Sequence, residues 1–334
     1  MRNWKFWLGV VISVVFLYIG LRGLRLGEVW TGVRQANYVW LVPAVLVYFV
    51  AVWARTWRWH YMLRPLKTIS LPQLFPAVVI GYMGNNVYPA RAGELIRAYI
   101  LRKRQAVSIG ASLATIIVER IFDGVVMLFF VFVSLPFAPM PNWLQRVVLF
   151  GSLIFIGALA AFFIIAASPA RAQRVYGWFI AHLLPARLQE PMRGFADRFL
   201  QGLGFLRSGR DVLMIFLTSL VIWLTETVVY WLVMHGFSFR VPFYVLMLMN
   251  GVVNLATTIP SSPGYVGTFD ALGIKVLEGF GVAGSLAAAY TLVLHATLWL
   301  PITLVGFYYM WRESVGWREF GAAARAKEQG ASNV

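Results

Sequence analysis

The sequence has no cysteine, which excludes disulfides and thiolate metal sites. Its four histidines, His60, His182, His235 and His295, are too scattered for a metal cluster, so no metal or other cofactor is expected. Charge is scarce: 13% of the 334 residues are charged, against about a quarter in soluble domains. Acids are scarcer still, 13 beside 29 lysines and arginines. A Ser-His-Asp arrangement, a phosphate-binding loop and a dinucleotide fingerprint are all missing, so an enzyme is not expected.

What fills the chain is apolar. Hydrophobic residues make up 60% of it, and mean hydropathy is +0.72. Uncharged runs cover residues 6–21, 38–54, 71–90, 147–170, 241–269 and 279–311, while equally apolar stretches at 106–136 and 211–239 carry a few acids. A bilayer-spanning helix needs about 20 mainly apolar residues, so the expected fold class is an all-α polytopic membrane protein. The first run follows a basic start but lacks a small-residue cleavage site, and reads as a retained helix. A net charge of +16 would suggest nucleic acid in a soluble protein. Here the retention of basic loops on the cytoplasmic side accounts for it, and no nucleic-acid partner is expected.

Eight straight crossings from a cytoplasmic N-terminus would put Arg91, Arg97, Arg102, Lys103, Arg104 and the arginines of 171–210 outside. That opposes the positive-inside rule. The conflict disappears if the third and seventh segments leave by the face they enter. The third contains Pro72, Pro76, Gly81, Gly84, Asn85, Asn86 and Pro89, and the seventh runs into Pro260, Ser261, Ser262, Pro263 and Gly264. Breakers at this density stop a helix, and broken backbone at membrane depth must pack in protein or line a wet cavity. The expectation is about six full transmembrane helices plus two re-entrant helical hairpins, with both termini cytoplasmic. Within 169–210, Leu188, Met192, Phe195, Phe199, Leu203 and Leu206 recur at helical spacing. They read as an amphipathic surface helix with Pro191 in its first turn, serving as a linker or as a lipid sensor.

Two stretches echo each other. Pro89 and Gly93 share their spacing with Pro263 and Gly267, and Ala111-Ser-Leu-Ala114 returns as Gly284-Ser-Leu-Ala287. Residues 38–136 and 211–311 thus read as two inverted repeat units within a single membrane domain of 1–334. The cytoplasmic linker 169–210 joins them, and a cytoplasmic tail at 312–334 follows. Inverted repeats with broken helices meeting at mid-membrane are a transporter plan.

Five acids lie in or beside apolar segments: Glu94, Glu119, Asp123, Glu226 and Asp270. Each costs about 2.5–3.5 kcal/mol at a helix centre unless paired, protonated or wet. Glu119 and Asp123 share a helix face. Arg120 lies about 100° round and does not cover that face, so partners are sought on the first hairpin, where Arg91, Glu94 and Arg97 form a stripe. Arg91, Asn85, Asn86 and the free amides opening the half-helix after Pro89 would suit an anionic phosphate. Alternatively, Arg91 and Arg97 neutralise Glu119 and Asp123 and lock the hairpin to the next span; the preferred reading is a mixed role, lock and headgroup site together. In the second hairpin Ser261, Ser262, Tyr265 and Asp270 are candidate ligand contacts, with Thr268 or Asp270 alternatively capping the helix from Gly267. Glu226 has no basic neighbour in sequence and joins Glu119 and Asp123 as a candidate protonatable coupling group, or alternatively hydrogen-bonds while neutral. His295 reads as a core histidine, and Trp53, Trp57 and Trp59 fit an interfacial aromatic belt.

The stretches GYMGNNVYPARAGELIRAYIL, ATIIVERIFDG and PSSPGYVGTFDA resemble the flippase-like membrane family, which includes the N-terminal membrane domain of bacterial lysylphosphatidylglycerol synthases. The resemblance covers nearly the whole chain. It implies a protein of the bacterial cytoplasmic (inner) membrane that translocates or handles a phospholipid or a polyprenyl, hopanoid or glycolipid substrate. By position it points to Asn86, Pro89, Arg91, Gly93, Glu94, Arg97, Glu119, Arg120, Asp123, Pro263, Gly264 and Gly267. The synthases carry a second membrane block and a soluble aminoacyl-transfer domain, whereas this sequence ends soon after Trp311, so lipid lysylation is not expected. Membrane lipids are the expected partners, with envelope-lipid biosynthetic enzymes next. The alternative function is a non-transporting accessory that holds a lipid intermediate for a glycosyltransferase or another such enzyme.

Overall fold

The computed structural model describes residues 22–88, 92–137, 168–183, 185–257 and 263–313, with isolated positions in 11–20 and 153–160. The described residues are all-helical and contain no strand. In chain order the α-helices are α1 (Leu26–Gln35), α2 (Leu41–Leu63), α3 (Leu71–Val87), α4 (Ala92–Gln105) and α5 (Ile109–Ser134). They continue as α6 (Pro169–Leu183), α7 (Ala186–Gly202), α8 (Gly209–Met234), α9 (Phe243–Ala256), α10 (Thr268–Gly279) and α11 (Gly284–Arg312).

Among the described residues, three stretches are long and apolar enough to cross a membrane: Tyr38–Leu63, Gly209–Met234 and Gly284–Arg312. Helix α5 matches them with 26 residues, about 39 Å at 1.5 Å per residue, but carries Glu119, Arg120 and Asp123 at its middle. The apolar segments at 6–21 and 147–170 lie largely outside the described residues. Caps set the helix starts. Ser108 accepts from the Ala111 N–H ahead of α5, and Ser208 accepts from the Asp211 N–H ahead of α8, satisfying amides that have no partner inside a first turn.

Side-chain contacts give the helix directions. Arg55 meets Glu226, Arg58 meets Ser219 and Tyr61 meets Asp211, so α2 and α8 are antiparallel. Arg58 meets Asp123 while Trp59 meets Thr115, so α5 runs back along α2. Asn86 meets Thr303, and Phe75 packs on Tyr309, so α11 is antiparallel to α3. One end of the molecule therefore gathers the C-termini of α2, α4 and α11 with the N-termini of α3, α5 and α8. There Lys67 reaches the Gln105 carbonyl and Arg104 pairs with Glu313. This end carries Arg64, Lys67, Arg102, Lys103, Arg104, Arg210 and Arg312, and is strongly basic.

Helices α3 and α4 fold back on each other and both open onto the basic end. Helices α9 and α10 do the same from the opposite end, where Ser134 bonds the Tyr244 carbonyl. Close approach needs small residues. A Cβ on Gly93 would lie 1.8 Å from the Gly81 carbonyl oxygen and 2.7 Å from the Asn85 nitrogen. Gly93→Ala should therefore force α3 and α4 apart at a cost of about 1–3 kcal/mol or more. Thermal unfolding in detergent checks this, with Gly177→Ala as control, because that helical position faces open space.

The linker differs from its expectation. It forms two helices, and α7 starts at Ala186, which leaves Pro191 inside the helix rather than in its first turn. Leu203, Phe205 and Leu206 pack with Ala114, Val118 and Ile215, so the end of the linker is built into the protein core. Tyr176 on α6 donates a 2.5 Å hydrogen bond to Asp197 on α7. Burial and this carboxylate push its phenol up to about 12, so the bond keeps its proton at any physiological pH.

Candidate functional site

The polar centre begins with α5. Its Glu119 is fully buried and meets three arginines: Arg97 of α4 through both oxygens at 3.2 and 2.9 Å, Arg58 of α2 at 3.2 Å, and Arg120 at 2.8 Å. Asp123, one turn on, takes Arg58 at 2.7 Å, the Trp223 indole N–H at 2.8 Å and Arg120 at 3.5 Å. Arg58 also bonds Ser219 at 2.6 Å. Arg97 lies 3.7 Å from the centre of the Trp59 ring, and that indole donates to Thr115. Glu94 is 3.8 Å from Arg120. Across the bundle Arg55 pairs with Glu226 at 2.5 Å and sits over Trp223.

Among the described residues, Arg55, Arg58, Arg97 and Arg120 thus face Glu94, Glu119, Asp123 and Glu226, four charges against four. Left unpaired in a bilayer, eight charges would cost about 20–28 kcal/mol, more than the roughly 5–15 kcal/mol that holds a protein folded. Pairing is what makes the arrangement tolerable.

Several expectations change. Arg120 does reach both Glu119 and Asp123, because its long side chain spans the angle that separates the Cα positions. Glu226, which has no basic neighbour in sequence, takes Arg55 from 171 positions away. Trp59 is fully buried and leaves the aromatic belt for the core, while Trp53 is 44% exposed. Arg55 and Arg58 were missed. They stand three residues apart, a spacing that places both on one helix face, and that was the available signal.

The described residues next to the two hairpin turns, Asn85 and Asn86 in one and Gly264 and Tyr265 in the other, meet beside this network. The Gly264 turn packs against Trp299 and the Asn86 carbonyl. Between the tips lies a cavity of about 130 Å³, lined among others by Tyr48, Arg55, Tyr82, Asn85, Asn86, Arg120, Trp223, Glu226, Asn254, Tyr265, His295 and Trp299. Of the expected site residues, Asn85, Asn86, Arg120, Glu226, Gly264 and Tyr265 share it. Asn85 also accepts from the Gly93 N–H at 2.9 Å, closing the start of α4, and Asn86 donates to Thr303 at 2.8 Å. Glu94 and Arg97 line a smaller adjoining recess, Glu119 and Asp123 sit behind it, and Asp270 backs His295. Pro89, Arg91, Pro260, Ser261 and Ser262 lie outside the described residues. Among the described residues no cluster of metal ligands occurs.

Residues 6–306 match the family described as the lysylphosphatidylglycerol synthase TM region. The chain belongs to this family. Similar members include a UPF0104 membrane protein of Methanothermobacter thermautotrophicus, 24% identical over 89% of this chain and 92% of the relative. UPF0104 membrane protein MJ1595 of Methanocaldococcus jannaschii is 22% identical over 90% and 93%. Glycosyltransferase AglD of Haloferax volcanii is 25% identical over 89% of this chain but only 52% of its own length. These relatives are archaeal, so the family places the protein in a membrane without making that membrane bacterial. For a member of the lysylphosphatidylglycerol synthase TM family, the buried charge network is the feature most in need of a function.

Proposed function

We propose that this protein is a lipid translocase, not an enzyme, which moves a polar headgroup through the cavity between its hairpin tips while the tails stay in the bilayer. The meeting of two broken helices at a walled polar cavity carries this reading. Lipid-exposed backbone breaks do not survive at membrane depth, whereas breaks that line a cavity do. At about 130 Å³ the cavity is well under the roughly 300 Å³ of a drug-sized pocket. It suits one small headgroup and excludes acyl chains.

In this reading six spans and two re-entrant hairpins form an inverted repeat, and the hairpins enter from opposite leaflets. Movement of one repeat against the other would open the cavity to each side in turn. The basic end faces the cytoplasm, as the positive-inside rule requires. Arg55, Glu226, Asn85, Asn86, Arg120 and Tyr265 contact the headgroup. Arg58, Arg97, Glu119 and Asp123 hold the first hairpin to α2 and α5.

Proteoliposomes holding fluorescent phospholipids or a lipid-linked sugar test this, with a membrane-impermeant reductant added outside. Wild-type protein should expose the inner-leaflet pool of at least one headgroup class. Failure to move any class from well-folded protein sinks the proposal. A second reading rests on the likeness to AglD, where a region like this chain makes up half of a protein named as a glycosyltransferase. The chain would then present a lipid-linked intermediate to such an enzyme, and a transferase would co-purify with a protein that moves nothing.

A further inference from the structure

A histidine bonds the described end of the break in the second hairpin. His295 reaches from α11 so that Nε2 lies 2.8 Å from the Gly264 carbonyl oxygen and Nδ1 lies 2.8 Å from Asp270 Oδ1. The other Asp270 oxygen accepts from the Gly267 N–H at 2.9 Å. Gly264, Tyr265 and Gly267 all have positive φ, 70°, 61° and 89°. For Tyr265 that is a costly conformation which persists only where its surroundings hold it.

Both atoms facing the ring are acceptors. A carbonyl oxygen has no hydrogen to give, so Nε2 must donate to it. The Asp270 contact then needs a proton as well, carried either by Nδ1 or by the carboxyl group. Both arrangements hold the same total, one proton more than a neutral histidine beside an ionised aspartate. Remove that proton and a single N–H is left for two acceptors. One of the two contacts becomes lone pair against lone pair and breaks.

We propose that Asp270 and His295 form a proton-binding site whose occupancy latches the break of the second hairpin, and that this pair carries the coupling proton of translocation. Only the link to translocation rests on the function proposed above. Glu226, Glu119 and Asp123 are poor rivals because each already faces an arginine. The other titratable or charged groups on the same cavity are Tyr48 and Arg55 from α2, Tyr82 from α3, Arg120 from α5, Glu226 from α8 and Tyr265 in the break. Arg55 is taken by Glu226 and Arg120 by Glu119. On α10 itself, Lys275 and Glu278 pair with each other at 2.7 Å. Because Gly264, Tyr265 and His295 line the cavity, release of the latch loosens its wall.

Amide hydrogen exchange over residues 263–268 of the full chain in detergent reads the latch directly, compared at about pH 6 and about pH 9, after correction for intrinsic rates. Wild type should be protected at the lower pH and lose about tenfold or more of that protection at the higher. Asp270→Asn should stay protected at both, because its amide can donate to a neutral imidazole while its oxygen still accepts from Gly267. His295→Gln should be unprotected at both. Flat protection in wild type, or pH dependence that survives Asp270→Asn, overturns the latch even if His295→Gln fails to fold. Translocation that ignores an imposed pH gradient overturns the coupling role alone. A pH-dependent latch in a protein that moves no lipid would instead refute the translocase reading and leave the latch standing.

Discussion

Arg58→Ala is expected to lower stability by about 3–5 kcal/mol, the range for removing one partner from a buried ionic network. Arg58 has no exposed surface and its guanidinium joins three helices: its own α2, α5 through Asp123 and Glu119, and α8 through Ser219. Truncation leaves two carboxylates with less compensating charge and Ser219 without its donor. Against a total of roughly 5–15 kcal/mol, most of the folded population is at risk. Arg58→Lys should fall between, because an ammonium cannot replace a guanidinium fork spread over three acceptors. Thermal unfolding in detergent measures all three proteins, with the exposed Arg174→Ala as reference. A melting point for Arg58→Ala within a few degrees of wild type would show that the network holds little of the fold.

How much of this could be read from residues alone follows from the range of each signal. The folding of α3 back on α4 and of α9 back on α10 was legible because its cause is local: Pro, Gly and Asn crowd residues 71–90, and Pro and Gly crowd 257–267. The cap at the second break was half legible. Asp270 was an evident candidate, and it does close the Gly267 amide.

The charge partners were not legible, because they are far apart in sequence. Arg58 and Asp123 are separated by 65 positions, and Arg55 and Glu226 by 171, so no periodicity links them. Reading Trp59 as an interfacial residue failed for a related reason. An indole between Arg58 and His60 looks interfacial until Arg58 proves to be paired inside the bundle. Arg97 then sits over the Trp59 ring. For His295 the ring reads as core packing, and only its two acceptor neighbours separate that from a chemical role.

The Arg55–Glu226 pair separates support of the fold from work on substrate. Its ends are 4% and 8% exposed, and it forms part of the cavity wall. Glu226→Gln or Arg55→Met alone strands a buried charge and should cost several kcal/mol. The double variant Arg55→Met, Glu226→Met removes both charges with side chains of useful length. Replacement of a buried pair by packed apolar groups is commonly neutral or stabilising by about 1–4 kcal/mol, so the double variant should melt at or above the wild-type temperature. If the pair only braces α2 against α8, lipid movement in proteoliposomes should return with stability. If it binds the headgroup, the cavity loses one charged donor and its carboxylate acceptor, and movement should stay at least about tenfold down, which is about 1.4 kcal/mol of lost recognition. We expect the second result, because the other ionic group on this wall, Arg120, is already paired with Glu119, and Asn85, Asn86 and Asn254 also bond within the protein. Recovery of both stability and transport would reduce the pair to a brace and move the search for a headgroup contact to Arg120.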